Sequence, residues 1–171
     1  FKLTRILAIV FVALIASVYF FEIEGGKKRA ALKEKEEKVL LFEKEKVEEV
    51  VLHVPHGHFR AKRIGENEWA LEEPLKAKGD KWAWNQIVET VSDLKFKRVI
   101  EENASGDTTL AAYGLAESKI RVEVRLKGEK GKRVLKVGDE NPIGDSLFAT
   151  TDDTKRVVLV PSYVSSSLNK E

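Results

Sequence analysis

The chain has 171 residues, and its 30 Lys and Arg against 28 Asp and Glu give a formal net charge of +2. This near balance argues against a nucleic-acid-binding protein, because such proteins usually present a strongly basic face. The chain holds no cysteine, which excludes a disulfide framework and a thiolate metal site. Beyond the apolar start there is room for one ordinary domain or two very small ones.

The first element is an apolar run from Leu3 to Phe21, which predicts a single transmembrane helix. Its uncharged part, residues 6–21, would rise about 24 Å as a helix, somewhat less than the roughly 30 Å core of a bilayer. Arg5 can snorkel to the headgroups and lengthen the span. The competing interpretation is a cleaved signal peptide, but the small residues of 13–17 form no clean cleavage site and the apolar run continues past them.

Three aromatic residues, Tyr19, Phe20 and Phe21, close this run where interfacial aromatic side chains are expected. We predict that they contact the lipid bilayer and integral membrane proteins. The orientation is left open by the charges, because basic residues stand both before the run and just after it. A bare count of these charges would place the following domain in the cytoplasm.

A charged stretch follows the predicted anchor. We predict a transmembrane anchor over 1–24, a charged juxtamembrane stalk over 25–45 and one α+β domain over 46–171. The mixed charges of 33–38 are typical of a short exposed helix. An anionic-lipid patch built on Lys27, Lys28 and Arg29 is the alternative, and the acids nearby disfavour it.

The domain begins with a predicted three-stranded meander over 46–54, 58–64 and 68–72. Asp80 is a helix N-cap, and apolar residues at three- and four-residue spacing follow it to Leu94, which predicts a helix packed on a sheet. A strand over 96–100 and one helical turn over 110–115 come next.

A second meander is predicted from strands over 120–126, 133–137, 147–150 and 156–160. Pro161 can then start a last short helix. The predicted fold class is therefore α+β: two antiparallel β-meanders with one long packing helix and one or two short ones, after a single transmembrane helix.

Two tryptophans differ in their predicted environment. Trp69 lies in a strand, and we expect it in the core. Trp82 lies on the Asp80 helix but away from its apolar face. It either folds back over the helix N-terminus or forms an exposed anchor for a partner, since aromatic residues are favoured at interface hot spots. We take Trp82, with Tyr19, Phe20 and Phe21, as the partner-binding candidates.

The histidines of the chain, His53, His56 and His58, lie together around a Pro-Gly turn. Imidazole is a common zinc ligand, but we expect His53 and His58 on opposite sides of the turn and predict no metal site. The acidic pairs Glu72-Glu73 and Asp152-Asp153 should point to opposite strand faces and form no acid–base dyad.

The sequence also has no Gly-rich phosphate-binding loop and no G-x-S-x-G motif. We therefore expect no catalytic residues, no cofactor and no enzymatic activity.

Several short motifs, in their order and spacing, resemble the bacterial DUF4340 domain family over roughly residues 40–170. They are Trp69-Ala70-Leu71 with Glu73-Pro74, Lys78-Gly79-Asp80, Tyr113-Gly114-Leu115, Val137-Gly138-Asp139 and Val158-Leu159-Val160-Pro161-Ser162. Members of this family often look like the extracytoplasmic part of the gliding-motility auxiliary protein GldG. The resemblance implies a membrane-tethered α+β domain that faces the periplasm and has no catalytic residues. By analogy it suggests a partner such as an ABC-transporter permease.

Together these observations predict a non-catalytic accessory or structural subunit of a larger membrane complex, anchored in the inner membrane by one span. Its complex would be transporter-associated or another assembly such as an energy-transducing complex. The alternative is a membrane-tethered module that binds lipid or glycan in a cleft between the two meanders.

Overall fold

The computed structural model describes residues 2–104, 106–152 and 155–169. Two compact units divide the chain, Phe1–Glu37 and Lys38–Glu171. The first unit is one helix, α1 (Lys2–Glu37). Its segment Thr4–Phe21 is long enough and apolar enough to cross a membrane, and it is the one helix of that kind among the described residues.

Helix α1 runs through the point where we expected the anchor to end and a separate stalk to begin. Gly25 and Gly26 do not interrupt it, because a glycine inside a helix costs only about 1 kcal/mol relative to alanine. The residues that follow are mostly Ala, Leu, Glu and Lys, which favour helix strongly.

The second unit begins at Lys38, inside the segment predicted as a stalk. The Val39 amide donates to the Leu94 carbonyl at 2.9 Å, and Lys38 Nζ lies 3.1 Å from Asp93 Oδ1. Leu40 is 3 % exposed and belongs to the core. Residues 38–45 are therefore part of the folded domain, and a short 3-10 helix, Lys44–Lys46, leads into its first strand.

The described residues of the domain form one nine-stranded antiparallel sheet in the order β4-β3-β2-β1-β6-β7-β8-β9-β5. The strands are β1 (Val47–Val54), β2 (Gly57–Arg63), β3 (Trp69–Glu73), β4 (Ala77–Lys78), β5 (Arg98–Glu101), β6 (Ile120–Leu126), β7 (Arg133–Glu140), β8 (Ser146–Thr151) and β9 (Val157–Pro161). The predicted α+β class and the antiparallel strands are confirmed, and the short edge strand β4 was not predicted.

The two meanders are joined through β1 and β6, which pair with Val50 opposite Val124 and Leu52 opposite Val122. The two meanders therefore form one continuous sheet. Val50 and Leu52 of β1 and Val122 and Val124 of β6 lie in the same buried core.

Three helices accompany the sheet in the described part of the domain: α2 (Lys81–Ser92), α3 (Asp107–Ala111) and α4 (Tyr163–Leu168). The Asp80 side chain caps α2 by accepting from the amides of Trp82 and Ala83, as the sequence predicts. The face of α2 that carries Trp84 and Val88 packs in the main core together with α4.

The opposite face of the sheet has two different parts. Near β8, β9 and α3, a small apolar cluster is built on buried Ala104, Leu115 and Val157. The Tyr113 and Phe148 rings lie beside it, with centroids 4.8 Å apart. Over β1, β2 and β6 this face is polar, and we call that part the polar face.

Two of the family-like motifs touch each other in the folded domain. The Asp139 amide donates to the Tyr113 carbonyl at 3.0 Å. A Cβ at Gly138 would clash with the same carbonyl oxygen, and Gly114 has a φ of 67°, a conformation that glycine adopts readily. These glycines are therefore required by a close backbone approach between the α3–β6 connection and β7.

Candidate functional site

Trp82 is the most exposed tryptophan of the chain, at 76 %. It occupies the first turn of α2, on the side away from the buried Trp84, and Lys81 Nζ lies 5.3 Å from its ring centroid. Of the two alternatives for this residue, the structure shows the exposed one. The indole is thus available for a contact outside the domain.

Trp69, in contrast, is 1 % exposed, as we expected for a core residue. Its Nε1 donates to Asn85 Oδ1 at 2.8 Å, and its ring stacks on Trp84 with centroids 6.1 Å apart. The Gly79 amide donates to the Trp69 carbonyl at 2.8 Å. Trp69 therefore packs β3 against the start of α2, and its role is structural.

Tyr19, Phe20 and Phe21 lie in α1, within the first compact unit. All three side chains are exposed, at 68 %, 62 % and 77 %. Large apolar side chains that are this exposed on a helix are typical of a surface that meets a membrane or another helix, since water is a poor solvent for them.

The polar face brings together residues that sequence reasoning kept apart. His53 of β1 and His58 of β2 are directly opposite each other in the register, with their Nδ1 atoms 3.0 Å apart. They lie on opposite sides of the turn, as expected, but the pairing of β1 with β2 brings the two rings into contact. Residues paired across an antiparallel hairpin share one face, and the two-residue turn at Pro55 and His56 sets that register.

Glu73 of β3 completes this cluster. Its Oε2 lies 2.8 Å from His58 Nε2, and its Oε1 lies 3.4 Å from an Arg60 guanidinium nitrogen. Partial burial, followed by the charge of His58, lowers the pKa of His53. His53 is therefore a neutral imidazole at neutral pH.

A second charged group lies beside it on β6. Glu123 accepts from Lys132 Nζ at 2.7 Å and lies 2.8 Å from an Arg121 nitrogen. Burial acts to raise the pKa of Glu123, but the hydrogen bond and charge of Lys132, with the charge of Arg121, hold it below its usual value. This carboxylate is ionised and already neutralised, which makes it a poor proton acceptor.

The acidic pairs do not form a catalytic dyad in the described residues. Glu72 is engaged by Lys62 at 3.1 Å, while Glu73 binds His58 and Arg60. Asp152 pairs with Lys136 at 3.2 Å, and Asp153 lies outside the described residues. Among the described residues, no group of three or more His, Cys, Asp and Glu side chains is placed to hold a metal ion.

A surface cleft of about 660 Å³ lies between the start of β1, the β2–β3 loop and α2. Its lining includes Lys46, Glu48, Arg63, Asn67 and Asn85, so it mixes cations, anions and amides. The sequence did not predict this cleft, because four segments far apart in the chain form it, the fourth contributing Lys127.

Comparison with known proteins gives one family match. The model of a domain of unknown function, DUF4340, matches residues 69–171, which is more than half of the chain. No curated protein and no solved structure matches the chain.

Proposed function

The chain belongs to the DUF4340 family, and we propose that it is a non-catalytic, membrane-anchored accessory subunit of a larger bacterial membrane complex. In this proposal, both the apolar helix α1 and the α+β domain contact partner proteins. Its complex is transporter-associated, or another membrane assembly such as an energy-transducing complex.

The observation that carries the proposal is the position of Trp82. A tryptophan that is 76 % exposed in a well-packed domain leaves a large apolar surface in water. Tryptophan is among the residues most enriched at interface hot spots, where burying the ring contributes much of the binding energy. The cap at Asp80 fixes the first turn of α2, so the indole is presented from a rigid element.

The apolar helix supports a membrane location. Thr4–Phe21 meets the length and composition required for a span. We propose that it is a retained single-pass anchor in the inner membrane and that the domain faces the periplasm. The orientation follows from the resemblance to extracytoplasmic domains of the GldG type, since the flanking charges do not decide it.

The polar clusters support a role without catalysis. Arg60 and His58 engage Glu73, and Glu123 is bound by Lys132 and Arg121. Lys132 and Arg121 hold the pKa of Glu123 below its usual value, whereas a general acid or base needs a pKa near the working pH.

Purification from native membranes in mild detergent tests this proposal. Tagged wild-type protein should recover integral membrane partners, and Trp82→Ala should recover clearly less of them while keeping the same circular dichroism and unfolding midpoint. Tyr163→Ala is the matched control, because Tyr163 is an exposed aromatic residue (56 %) on a different helix. Equal recovery with Trp82→Ala and wild type, or a monodisperse monomer without partners, would contradict the proposal.

A second candidate function is binding of a lipid or glycan, which the cleft of about 660 Å³ favours. Native mass spectrometry of the protein from its own membranes should then show a bound small molecule. Lys127→Ala, in the lining of the cleft, should remove that mass. Lys130→Ala, in the neighbouring β6–β7 hairpin but outside the cleft, should retain it. Absence of any bound mass in the wild type argues against this candidate.

A further inference from the structure

We propose that His53 and His58 form an open chelating site for one borderline divalent transition-metal ion such as Zn²⁺, with Glu73 orienting the His58 ring. The site lies on the polar face and needs neither Trp82 nor α1. Its two histidines stand before the residues matched by the family model. The inference is therefore independent of the accessory function proposed above.

The distance between the two imidazoles fits a shared ion. Their Nδ1 atoms are 3.0 Å apart, and the ring centroids are 4.3 Å apart at a tilt of 54°. Zinc binds imidazole nitrogen at about 2.0–2.1 Å, so two nitrogens at a tetrahedral angle stand roughly 3.3–3.4 Å apart. Binding would break the hydrogen bond, widen the separation by a few tenths of an ångström and rotate both rings so that their Nδ1 lone pairs converge on the ion.

The hydrogen bonds around the pair set suitable tautomers. His58 Nε2 lies 2.8 Å from Glu73 Oε2, so this nitrogen carries the hydrogen and Nδ1 keeps a lone pair. A carboxylate on the far nitrogen of a ligating histidine fixes the ring and increases its basicity. With this tautomer of His58, His53 Nδ1 is the donor in the 3.0 Å contact between the two Nδ1 atoms. On metal binding the hydrogen of His53 moves to Nε2, so no net proton is released.

The charges facing the site add no attraction for a divalent ion. Two carboxylates, Glu73 on β3 and Glu123 on β6, face three cations, Arg60 on β2, Arg121 on β6 and Lys132 before β7. Among the described residues no third ligand of the His, Cys, Asp or Glu type joins the pair. Water or an outside ligand would therefore fill the other positions, and the affinity should be lower than in a closed four-ligand zinc site.

Isothermal titration of the full chain in detergent micelles with Zn²⁺ tests the proposal. One ion should bind per chain at pH 7.5. His53→Ala and His58→Ala should each abolish binding, whereas Glu73→Gln should weaken it by about 10–100-fold. His56→Ala is the matched control, because His56 is an exposed histidine at the turn between the two ligands, and it should bind like wild type.

A measurement on the wild-type protein tests the same site without depending on whether a variant folds. Substoichiometric Ni²⁺ should broaden the imidazole NMR signals of His53 and His58 before those of His56. Equal broadening of all three, or Zn²⁺ binding that survives His58→Ala, would overturn the proposal.

Discussion

Because Gly138 has no side chain, the backbone of β7 can lie directly against the backbone at Tyr113 and Gly114. The Gly138 backbone lies against the carbonyl of Tyr113, which also accepts from the Asp139 amide. The hydrogen bond from the Asp139 amide to the Tyr113 carbonyl holds the two backbones together at this point. Neither backbone can therefore move away at low energetic cost to make room for a methyl group at Gly138. The Tyr113-Gly114-Leu115 and Val137-Gly138-Asp139 motifs thus have a structural reason for occurring together.

Gly138→Ala should lower the free energy of unfolding by about 1–3 kcal/mol, the usual cost of overpacking a tight contact. Chemical denaturation followed by tryptophan fluorescence measures this change. Gly65→Ala is the control, since its new methyl would meet only the Glu68 side chain at 3.4 Å. If both variants unfold at the same denaturant concentration, the close approach at Gly138 is not a constraint.

Asp145 stabilises the turn between β7 and β8 through its ionised form. The hydrogen bond with Ser146, followed by those from Asn141 and Lys97, holds the pKa of Asp145 below its usual value of 3.8. The unfolded chain then binds the proton more tightly than the folded one. The stabilisation is present above pH 3.8 and is lost as the pH falls through the folded pKa.

Asp145→Asn should therefore lose less stability than wild type on acidification below about pH 4. Thermal unfolding followed by circular dichroism between pH 2 and pH 6 gives the two profiles. Parallel profiles for Asp145→Asn and wild type would show that the turn does not depend on this carboxylate.

At the scale of elements, the segment 38–46 is part of the domain and not a tether. The segment contacts both the last turn of α2 and the residues just after it. The Val39 amide donates to the carbonyl of Leu94, which follows α2, and Lys44 Nζ lies 3.7 Å from Glu89 Oε1 in the last turn. The segment has the composition of a charged linker, and for that reason we predicted a stalk. It belongs to the domain because Leu40 packs in the main core together with residues of α2.

Leu40→Ala should destabilise the domain by about 2–5 kcal/mol, the usual cost of a cavity in a core. Urea denaturation of the full chain measures it. The neighbouring residue supplies the control: Leu41 is 54 % exposed, so Leu41→Ala should change the midpoint little. A stalk that lies outside the fold would instead make the two variants indistinguishable.

At the scale of the whole molecule, the chain combines one apolar helix with a domain built on a single sheet. The main apolar core lies on one face of this sheet, and a smaller apolar cluster lies on part of the other face. The core face carries α2 and α4, and the cluster near α3 shields β8 and β9. On the polar face over β1, β2 and β6, His58, Arg60 and Arg121 are about a third exposed. The partner contact that we propose at Trp82 and the metal site that we propose at the histidine pair therefore lie on different elements.

The side of the membrane on which the domain lies is a property of the whole molecule. Because the chain has no cysteine, Lys130→Cys would place a single thiol on the exposed β6–β7 hairpin. A membrane-impermeant maleimide should label it in cells with a permeabilised outer membrane and an intact inner membrane. Labelling that occurs only after the inner membrane is opened would place the domain in the cytoplasm.

The sequence alone determined the local features of this protein. The apolar run predicted a helix that is long and apolar enough to cross a membrane, the alternation of Ile120 to Leu126 predicted β6, and Asp80 predicted the start of α2. Each of these signals is contained within a few consecutive residues. A local pattern fixes a helix, a strand face or a cap, because its physical cause is local.

The tertiary structure alone decided which distant residues meet. It joined the meanders through β1 and β6, placed Leu40 in the core and brought His53 against His58 with Glu73 behind it. The register of an antiparallel strand pair depends on the geometry of the turn and on which face is buried. The charge of a single residue gives no information about either of these. For that reason the apolar helix and all the described strands except the two-residue β4 could be predicted from the sequence, while the histidine cluster on the polar face could not.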